Sequence, residues 1–544
     1  MGAVLTGIGV GSAAVRAPIF RWATRAALPP LTKSATTSEN EIAAVKSAIT
    51  HVEKVFADKI SAASGQLRDI LQAQVALATD PELSDMAEQF CKEGWDSASA
   101  IQLAMQEFKS LLQGAEGEFG ERVAYLDDIV YRIIQIMQGS TEEHSLPASG
   151  QVIVVAEDLT PMDTVAFTSV VVGVITEKGG PTSHTAIVCR SRGIPALVAC
   201  KGAATLHNGE LVVLDPDNSQ AIVGGELAQS SQQWWSEKKN LGKSVIPVLA
   251  NIGSVKDAAL AQNARGVGLL RTELFFLDRV TPPTREEQIA LYTEIFMACP
   301  SGEIIVRTLD AGSDKPIPFL NMGREENPAL GVRGQRVASV SPDFYRDQLH
   351  AIKSAADNAV TNGKKISVSV MAPMIATIEE ARIFAEQARD AGLTRVGIMI
   401  EVPAIVPVIS QLQGLIDFVS VGTNDLSQYL FAADRTNSGV AHLLNPWEPA
   451  LLATLQQIAL SAEASSIKSG VCGEAASDPL LAVVLAGMGF DSVSASPSSV
   501  ADVTSALSVV DTGLAQKVAQ ISLQQKSAAA AKSAAKAALL DALD

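Results

Sequence analysis

Thr176-Glu-Lys-Gly-Gly-Pro-Thr-Ser-His-Thr-Ala-Ile-Val-Cys-Arg190 sets a single histidine, His184, between a glycine turn and an apolar run. The β-branched stretch before it, Val170 to Thr176, predicts a strand. Gly179-Gly180 predicts a tight turn, and Thr185 to Cys189 predicts a helix. Strand, turn, helix is the order of an α/β domain, and it puts His184 near a helix N-terminus. There the unpaired backbone N–H groups and the positive end of the dipole favour an anion, and the hydroxyls of Thr182, Ser183 and Thr185 add donors. A phosphorylated imidazole is such an anion. His184 is therefore read as a nucleophile that carries phosphate, a role that requires the neutral imidazole available near pH 7.

The chain has 544 residues, enough for two to four domains with buried cores. It carries 42 Lys and Arg against 59 Asp and Glu, a net charge of −17, with aromatics at 5%. That balance argues against a nucleic-acid surface and leaves room for a basic protein partner or a metal-bound anionic substrate. The five cysteines, Cys91, Cys189, Cys200, Cys299 and Cys472, are widely spaced without a Cys-x-x-Cys pair. Neither a disulfide framework nor a zinc site is expected, and a reducing, cytoplasmic location is. No apolar run reaches the roughly 18 residues of a membrane span. Residues 1 to 38 are basic without acids, yet Gly7, Gly9 and Gly11 break the apolar run from Val4 to Val15, which predicts a first β-hairpin rather than a targeting segment.

From Glu39 the pattern turns helical: Ile42, Val45, Ile49, Val52, Phe56 and Ile60 share one face. Leu67 to Ala78, Pro81 to Cys91, Ala98 to Leu112 and Phe119 to Met137 continue it. With β-rich sequence on both sides, residues 36–144 are expected to be an all-helical insertion into an α/β domain made of 1–35 and 145–225. Residues 226–244, with Trp234 and Trp235, form a polar connector. Residues 526–544 are an Ala- and Lys-rich tail, expected as a frayed helix.

Between them, in 245–525, eight short β-rich segments alternate with helical ones: Val245–Asn251, Gly266–Glu273, Glu303–Asp310, Ile366–Met374, Arg395–Glu401, Phe418–Asp425, Ser469–Glu474 and Ser492–Ser496. Eight such units predict a (β/α)8 barrel of the TIM type, making the whole a multidomain α/β chain. The polar residues fall at the C-terminal tips, which a barrel gathers on one face. Arg271, Arg307, Arg333 and Arg435 offer planar forks for phosphate or carboxylate, and Lys315 a point charge. Glu401 and Asp425 are oxygen donors suited to Mg²⁺. Cations for an anionic substrate and carboxylates for a metal are the parts that phosphoryl transfer needs.

Two groups of motifs, one around His184 and one in the barrel, carry a family resemblance. The Gly179-Gly-Pro-Thr-Ser-His184 string resembles the phosphohistidine motif of the PEP-utilising enzymes. In the barrel, Gly266-Val-Gly-Leu-Leu-Arg-Thr-Glu273, Arg307-Thr-Leu-Asp310 with Asp314-Lys315, and Glu325-Glu-Asn-Pro328 with Gly331-Val-Arg333 stand in that family's order. So do Gly397-Ile-Met-Ile-Glu401, Ser420-Val-Gly-Thr-Asn-Asp425, Asp434-Arg435 and Cys472-Gly-Glu474. The arrangement is most similar to that of the family's enzyme I class, which moves phosphate from phosphoenolpyruvate (PEP) to its own histidine and then to a small histidine-containing phosphocarrier protein, the first step of PEP-dependent sugar uptake. The resemblance implies that Arg271, Arg307, Asn424, Asp425 and Arg435 bind PEP, that Glu401 and Asp425 hold Mg²⁺, and that Cys472 is the proton donor. It also implies carrier docking at Leu77, Asp80 and Glu82, and a homodimer through the barrel. Gln74 departs from it, standing where many members have histidine. The dikinase and synthase branches need a large ATP-binding domain before the histidine, and only 183 residues precede His184. A regulatory scaffold would be expected to have lost the charged tips that this chain keeps.

Overall fold

The computed structural model describes residues 3–11, 14–22, 28–62, 66–114, 119–137, 146–180, 183–216, 218–226, 234–235, 242–277, 279–312, 317–323, 325–435, 437 and 440–543. Thr182, Asp314, Lys315, most of the 226–244 connector and the side chain of His184 lie outside the described residues. The chain divides into two units, Met1–Ser231 and Gln232–Asp544.

In the first unit, β1 (Val4–Thr6), β2 (Ile8–Val10) and β3 (Val15–Arg21) precede a run of helices, and β4 (Val152–Ala156), β5 (Val171–Thr176), β6 (Ala196–Val198), β7 (Leu211–Asp215) and β8 (Gln220–Val223) follow it. They make one sheet in the order β1-β8-β7-β3-β4-β5-β6-β2. Among the described residues the hairpin expected at the N-terminus does not form. Instead β1 pairs antiparallel with β8, Val4 opposite Ile222, and β2 pairs antiparallel with β6, Ile8 opposite Val198. These are opposite edges of the sheet, yet only Gly7 separates β1 from β2, and successive Cα atoms are about 3.8 Å apart. The sheet therefore curls until its edges meet at Gly7. The glycine spacing is steric: a Cβ on Gly9 would sit 1.9 Å from the carbonyl oxygen of Pro216.

Between β3 and β4 run α1 (Ser38–Ala62), α2 (Gln66–Ala78), α3 (Pro81–Lys92), α4 (Ser97–Gly114) and α5 (Phe119–Met137). The predicted face of α1 is the buried one. Val45, Val52 and Phe56 are in a helical core with Leu71, Leu83, Ile101 and Ile133, and Ile42, Ile49 and Ile60 pack against it. Two short helices complete the unit, α6 (Pro161–Val165) and α7 (His184–Arg192). Arg132 of α5 pairs with Asp128 at 3.0 Å and with Asp163 of α6 at 3.2 Å, tying the helical layer to the α/β layer.

The second unit is a closed parallel barrel: β9 (Val248–Ile252), β10 (Gly266–Arg271), β11 (Gly302–Arg307), β12 (Ile366–Ala372), β13 (Val396–Ile400), β14 (Phe418–Val421), β15 (Lys468–Val471) and β16 (Ser492–Ala495). β16 closes on β9 with Val493 opposite Val248. Alternation along the strands sends one set of side chains to a large core beneath the outer helices and another, including Leu269, Ile305, Met371, Met399, Phe418 and Cys472, into the barrel itself. Trp234 and Trp235 belong to this unit, packed edge to face at 5.1 Å between centroids, and the Trp235 indole N–H donates to Asp502 at 3.2 Å.

The C-terminal tail is not frayed. The helix Ala528–Leu543 buries Ala528, Ala531, Ala535 and Leu539, and these residues join the barrel's large core. Their spacing of three and four residues makes a narrow apolar stripe, which the small size of alanine hides in composition but which lets the helix approach its neighbours closely.

Candidate active site

Strand ends place Arg271 and Arg307, whereas Arg333 stands in the long segment after β11 and Arg435 follows the helix Thr423–Phe431 that succeeds β14. Arg271 ends β10 and is exposed, whereas the next two residues, Thr272 and Glu273, are buried. Arg307 ends β11 and is buried. Its guanidinium meets Glu273 Oε1 at 2.6 Å and Asp310 Oδ2 at 3.1 Å. Arg333 follows a 3₁₀ turn and is fully buried, its Nε 3.2 Å from Asp310 Oδ1 and its NH2 2.9 Å from Asp425 Oδ2. Arg435, partly exposed, places NH1 3.4 Å from Asp425 Oδ1. The result is one line of alternating charge: Glu273, Arg307, Asp310, Arg333, Asp425, Arg435. Buried charges persist only when paired in this way. Burial alone would push the Arg307 guanidinium down, but the charges of Asp310, Glu273, Glu401 and Asp425 outweigh it and hold Arg307 well above the usual value, always charged.

Glu401, just past β13, has one oxygen occupied: Oε1 accepts from the backbone N–H of Met374 at 2.6 Å. Burial, then the nearby charges of Asp425 and Asp310, push its carboxyl up to about 8, against the pull of Arg307 and Arg333. A carboxylate so crowded by others has one ready source of relief, a cation. Glu401 and Asp425 supply hard oxygens of the kind Mg²⁺ takes as its one or two protein carboxylates, leaving the other positions to substrate and water. The residues fit the metal on that ground. Among the described residues no set of three or more His, Cys, Asp or Glu side chains makes an all-protein cage. Space there is guarded by glycine, since a Cβ on Gly422 would lie 3.0 Å from Glu401 Oε2.

Cys472 follows β15 and points into the barrel, 3% exposed, its thiol 3.4 Å from the carbonyl oxygen of Val421. Burial is the largest influence on it and pushes the thiol up to about 11, so it holds its proton near neutrality. Asn424 is exposed, and its Oδ1 accepts from the backbone N–H of Glu474 at 3.2 Å, linking the turns after β14 and β15.

In the first unit, His184 is the first residue of α7. Ser183 caps that helix, accepting from the N–H of Ala186 at 3.4 Å, and Gly193 ends it at φ +68°. Gly179, at φ +92°, makes the expected tight turn. Of the three residues assigned to the insert's docking surface, Leu77 is partly buried against the helical core, Asp80 caps α3 by accepting from Glu82 N–H at 2.9 Å, and Glu82 is exposed. Gln74 is fully buried, and neither its amide oxygen nor its nitrogen has a partner among the described residues.

The sequence reading placed Glu273 and Asp310 among the polar strand tips on the site face but gave them no role there. Their role appears only when β10 and β11 lie side by side, with Arg271 opposite Arg307 in register. It also missed Asn251, which resembles any polar residue near a strand end.

Comparison with known proteins agrees with this arrangement over the whole length. Residues 3–122 match the N-terminal region of PEP-utilising enzymes, 148–219 their mobile domain, and 228–512 their PEP-binding domain. A phosphoenolpyruvate-protein phosphotransferase of Streptomyces coelicolor is 37% identical over 99% of this chain and 100% of its own length. Proteins of the same name from Haloferax volcanii and Bacillus subtilis are 35% and 31% identical, over 84% and 91% of this chain and 84% and 92% of theirs. Three family regions in sequence order and relatives matched along nearly their full lengths show that the chain belongs to the PEP-utilising enzyme family, among its phosphoenolpyruvate-protein phosphotransferases.

Proposed function

We propose that the barrel mouth binds PEP, that His184 takes its phosphoryl group, and that the group then passes to a histidine of a small phosphocarrier protein while pyruvate leaves. The observation that carries this reading is the line of paired arginines and carboxylates at the barrel mouth, where Arg307 and Glu401 lie close enough for their charges to act on the thiol of Cys472. In the proposal Arg271, Arg307 and Arg435 grip the phosphate and carboxylate of the substrate, with Lys315 and Asn424 adding donors. Arg333 acts from below, fixing Asp425 through the 2.9 Å pair while Asp310 fixes both Arg333 and Arg307. Glu401 and Asp425 would hold Mg²⁺, which supplies charge neutralisation for the substrate's oxygens. Leaving phosphate makes an enolate of the remainder, and Cys472, a thiol that keeps its proton at pH 7, would protonate it to pyruvate.

Leu77, Asp80 and Glu82 are the proposed docking residues for the carrier, Glu82 being the most accessible of them. The chain would work in the cytoplasm as a homodimer formed through the barrel, and the first unit would serve barrel and carrier in turn. No helix among the described residues is long and apolar enough to cross a membrane. The test is transfer of radiolabelled phosphate from PEP with Mg²⁺ onto the wild-type chain and onto His184→Ala, with and without a histidine phosphocarrier. Acid-labile label, absent from the variant and chased onto the carrier, is the expected result; label that cannot be chased, or label on the variant, overturns it.

A further inference from the structure

We infer that Asn251 is a positioning residue for Cys472, setting the direction from which the enolate receives its proton; the inference rests on the reading of Cys472 as proton donor. Asn251 lies on β9, two strands away from the end of β15, and reaches across β16. Its side-chain amide nitrogen donates to the backbone oxygen of Cys472 at 2.8 Å and to that of Ser494 at 2.9 Å. Both partners are carbonyls, so the amide's orientation is not open to a flip: the NH2 end must face them. That leaves Oδ1 turned away, buried and without a partner among the described residues. A buried unpaired carbonyl is a cost to folding, and an apolar side chain of the same shape would avoid it. What the amide provides in return is fixation of Cys472. The cysteine's N–H donates to Val421 O at 3.0 Å and its carbonyl accepts from Asn251, so its peptide units are held on both sides and the Cα–Cβ bond has one direction.

Direction matters to the step. The S–H proton of Cys472 goes to C3 of the enolate, the electron pair of the C=C bond becomes the new C–H bond, and the enolate oxygen becomes the carbonyl of pyruvate. The negative charge passes to sulfur, which solvent protonates again. C3 has two faces, and a thiol fixed in direction serves one of them. Solvent serves both.

The stereochemistry of the methyl group reads this directly. PEP labelled at one C3 position with one heavy hydrogen isotope is converted in water of the other, with phosphocarrier present, and the configuration of the chiral methyl of pyruvate is determined. The wild type is expected to give one configuration. Asn251→Ala is expected to give a mixture close to equal, with pyruvate formation slowed about tenfold or more. Asn251→Asp keeps the shape, loses both donors and makes the same comparison should the alanine variant fail to fold. Cys472→Ala run in parallel separates the two claims. A mixture from Cys472→Ala with a single configuration from both Asn251 variants overturns the role of Asn251 and leaves that of Cys472 standing. A single configuration from Cys472→Ala, or a mixture from the wild type, overturns Cys472 as the directional acid and Asn251 with it. A loss of rate in the Asn251 variants with stereochemistry intact marks a merely structural residue and also overturns the proposal.

Discussion

Replacing Arg307 by methionine should damage the barrel more than the loss of one surface charge would, and by an amount that depends on Glu273. The guanidinium is 6% exposed and touches Glu273 at 2.6 Å and Asp310 at 3.1 Å. Asp310 keeps Arg333 when Arg307 is gone, but Glu273, 5% exposed, is left with its charge uncompensated. Breaking a buried pair from one side costs about 3–5 kcal/mol. Neutralising the orphan with Glu273→Gln should recover about 1–3 kcal/mol, the usual coupling between contacting charges. The single variant Glu273→Gln leaves Arg307 paired with Asp310 and should cost less than Arg307→Met. The assay is urea denaturation of the four proteins of the cycle, with radiolabel transfer from PEP as the functional readout. Transfer should fall by roughly 10²–10³ in both proteins lacking Arg307, since stability can be restored while the phosphate's partner cannot. Strictly additive stability losses would refute the reasoning, as they would mean that the two side chains do not share a pair.

Mg²⁺ should raise the melting temperature more at pH 8 than at pH 6. Glu401 has its folded value raised to about 8 from 4.5 by burial and by Asp425 and Asp310, so its contribution is complete below 4.5 and is lost as pH rises through 8, by up to about 1.4 kcal/mol per pH unit. The metal needs the ionised form and restores what is lost; equal shifts at both pH values in calorimetry would count against Glu401 as a ligand. Leu539→Ala should cost about 2–5 kcal/mol in a chemical melt, because Leu539 is fully buried, and a cost near zero would mean that the terminal helix is frayed after all. Gln74→Met should stabilise the helical insert by about 1 kcal/mol, since it removes two buried polar atoms that have no partner among the described residues and keeps the volume; a loss of stability would mean that the amide has a partner in solution, and carrier affinity measured on the same variant would show whether that partner serves docking.

Much of this protein is legible without coordinates because its elements announce themselves locally. The apolar spacing in α1 names the face that is buried, the glycine turn before His184 sets the histidine on the first residue of α7, and the alternation of β-rich and helical segments gives the barrel. In a parallel barrel every strand tip points the same way, so polar residues at the ends of apolar runs could be gathered into one site from sequence alone. Pairings between distant segments could not. That β1 and β2 part to opposite sheet edges depends on partners 218 residues away for Val4 (Ile222) and 190 for Ile8 (Val198), and a Gly-rich apolar run is compatible with either arrangement. The burial of the alanine stripe in the last helix depends on the surface it meets. Above all, the order of charges at the barrel mouth, which makes Arg333 a buried bridge, Glu401 a carboxyl raised above its ordinary range by burial and neighbouring carboxylates, and Asn251 a clasp on Cys472, is fixed by strand register and by distances of about 3 Å, because the strength of a charge pair or hydrogen bond falls steeply with separation and orientation. Sequence by itself determined which chemical groups the site has; the tertiary structure decided which of them are already spent on one another.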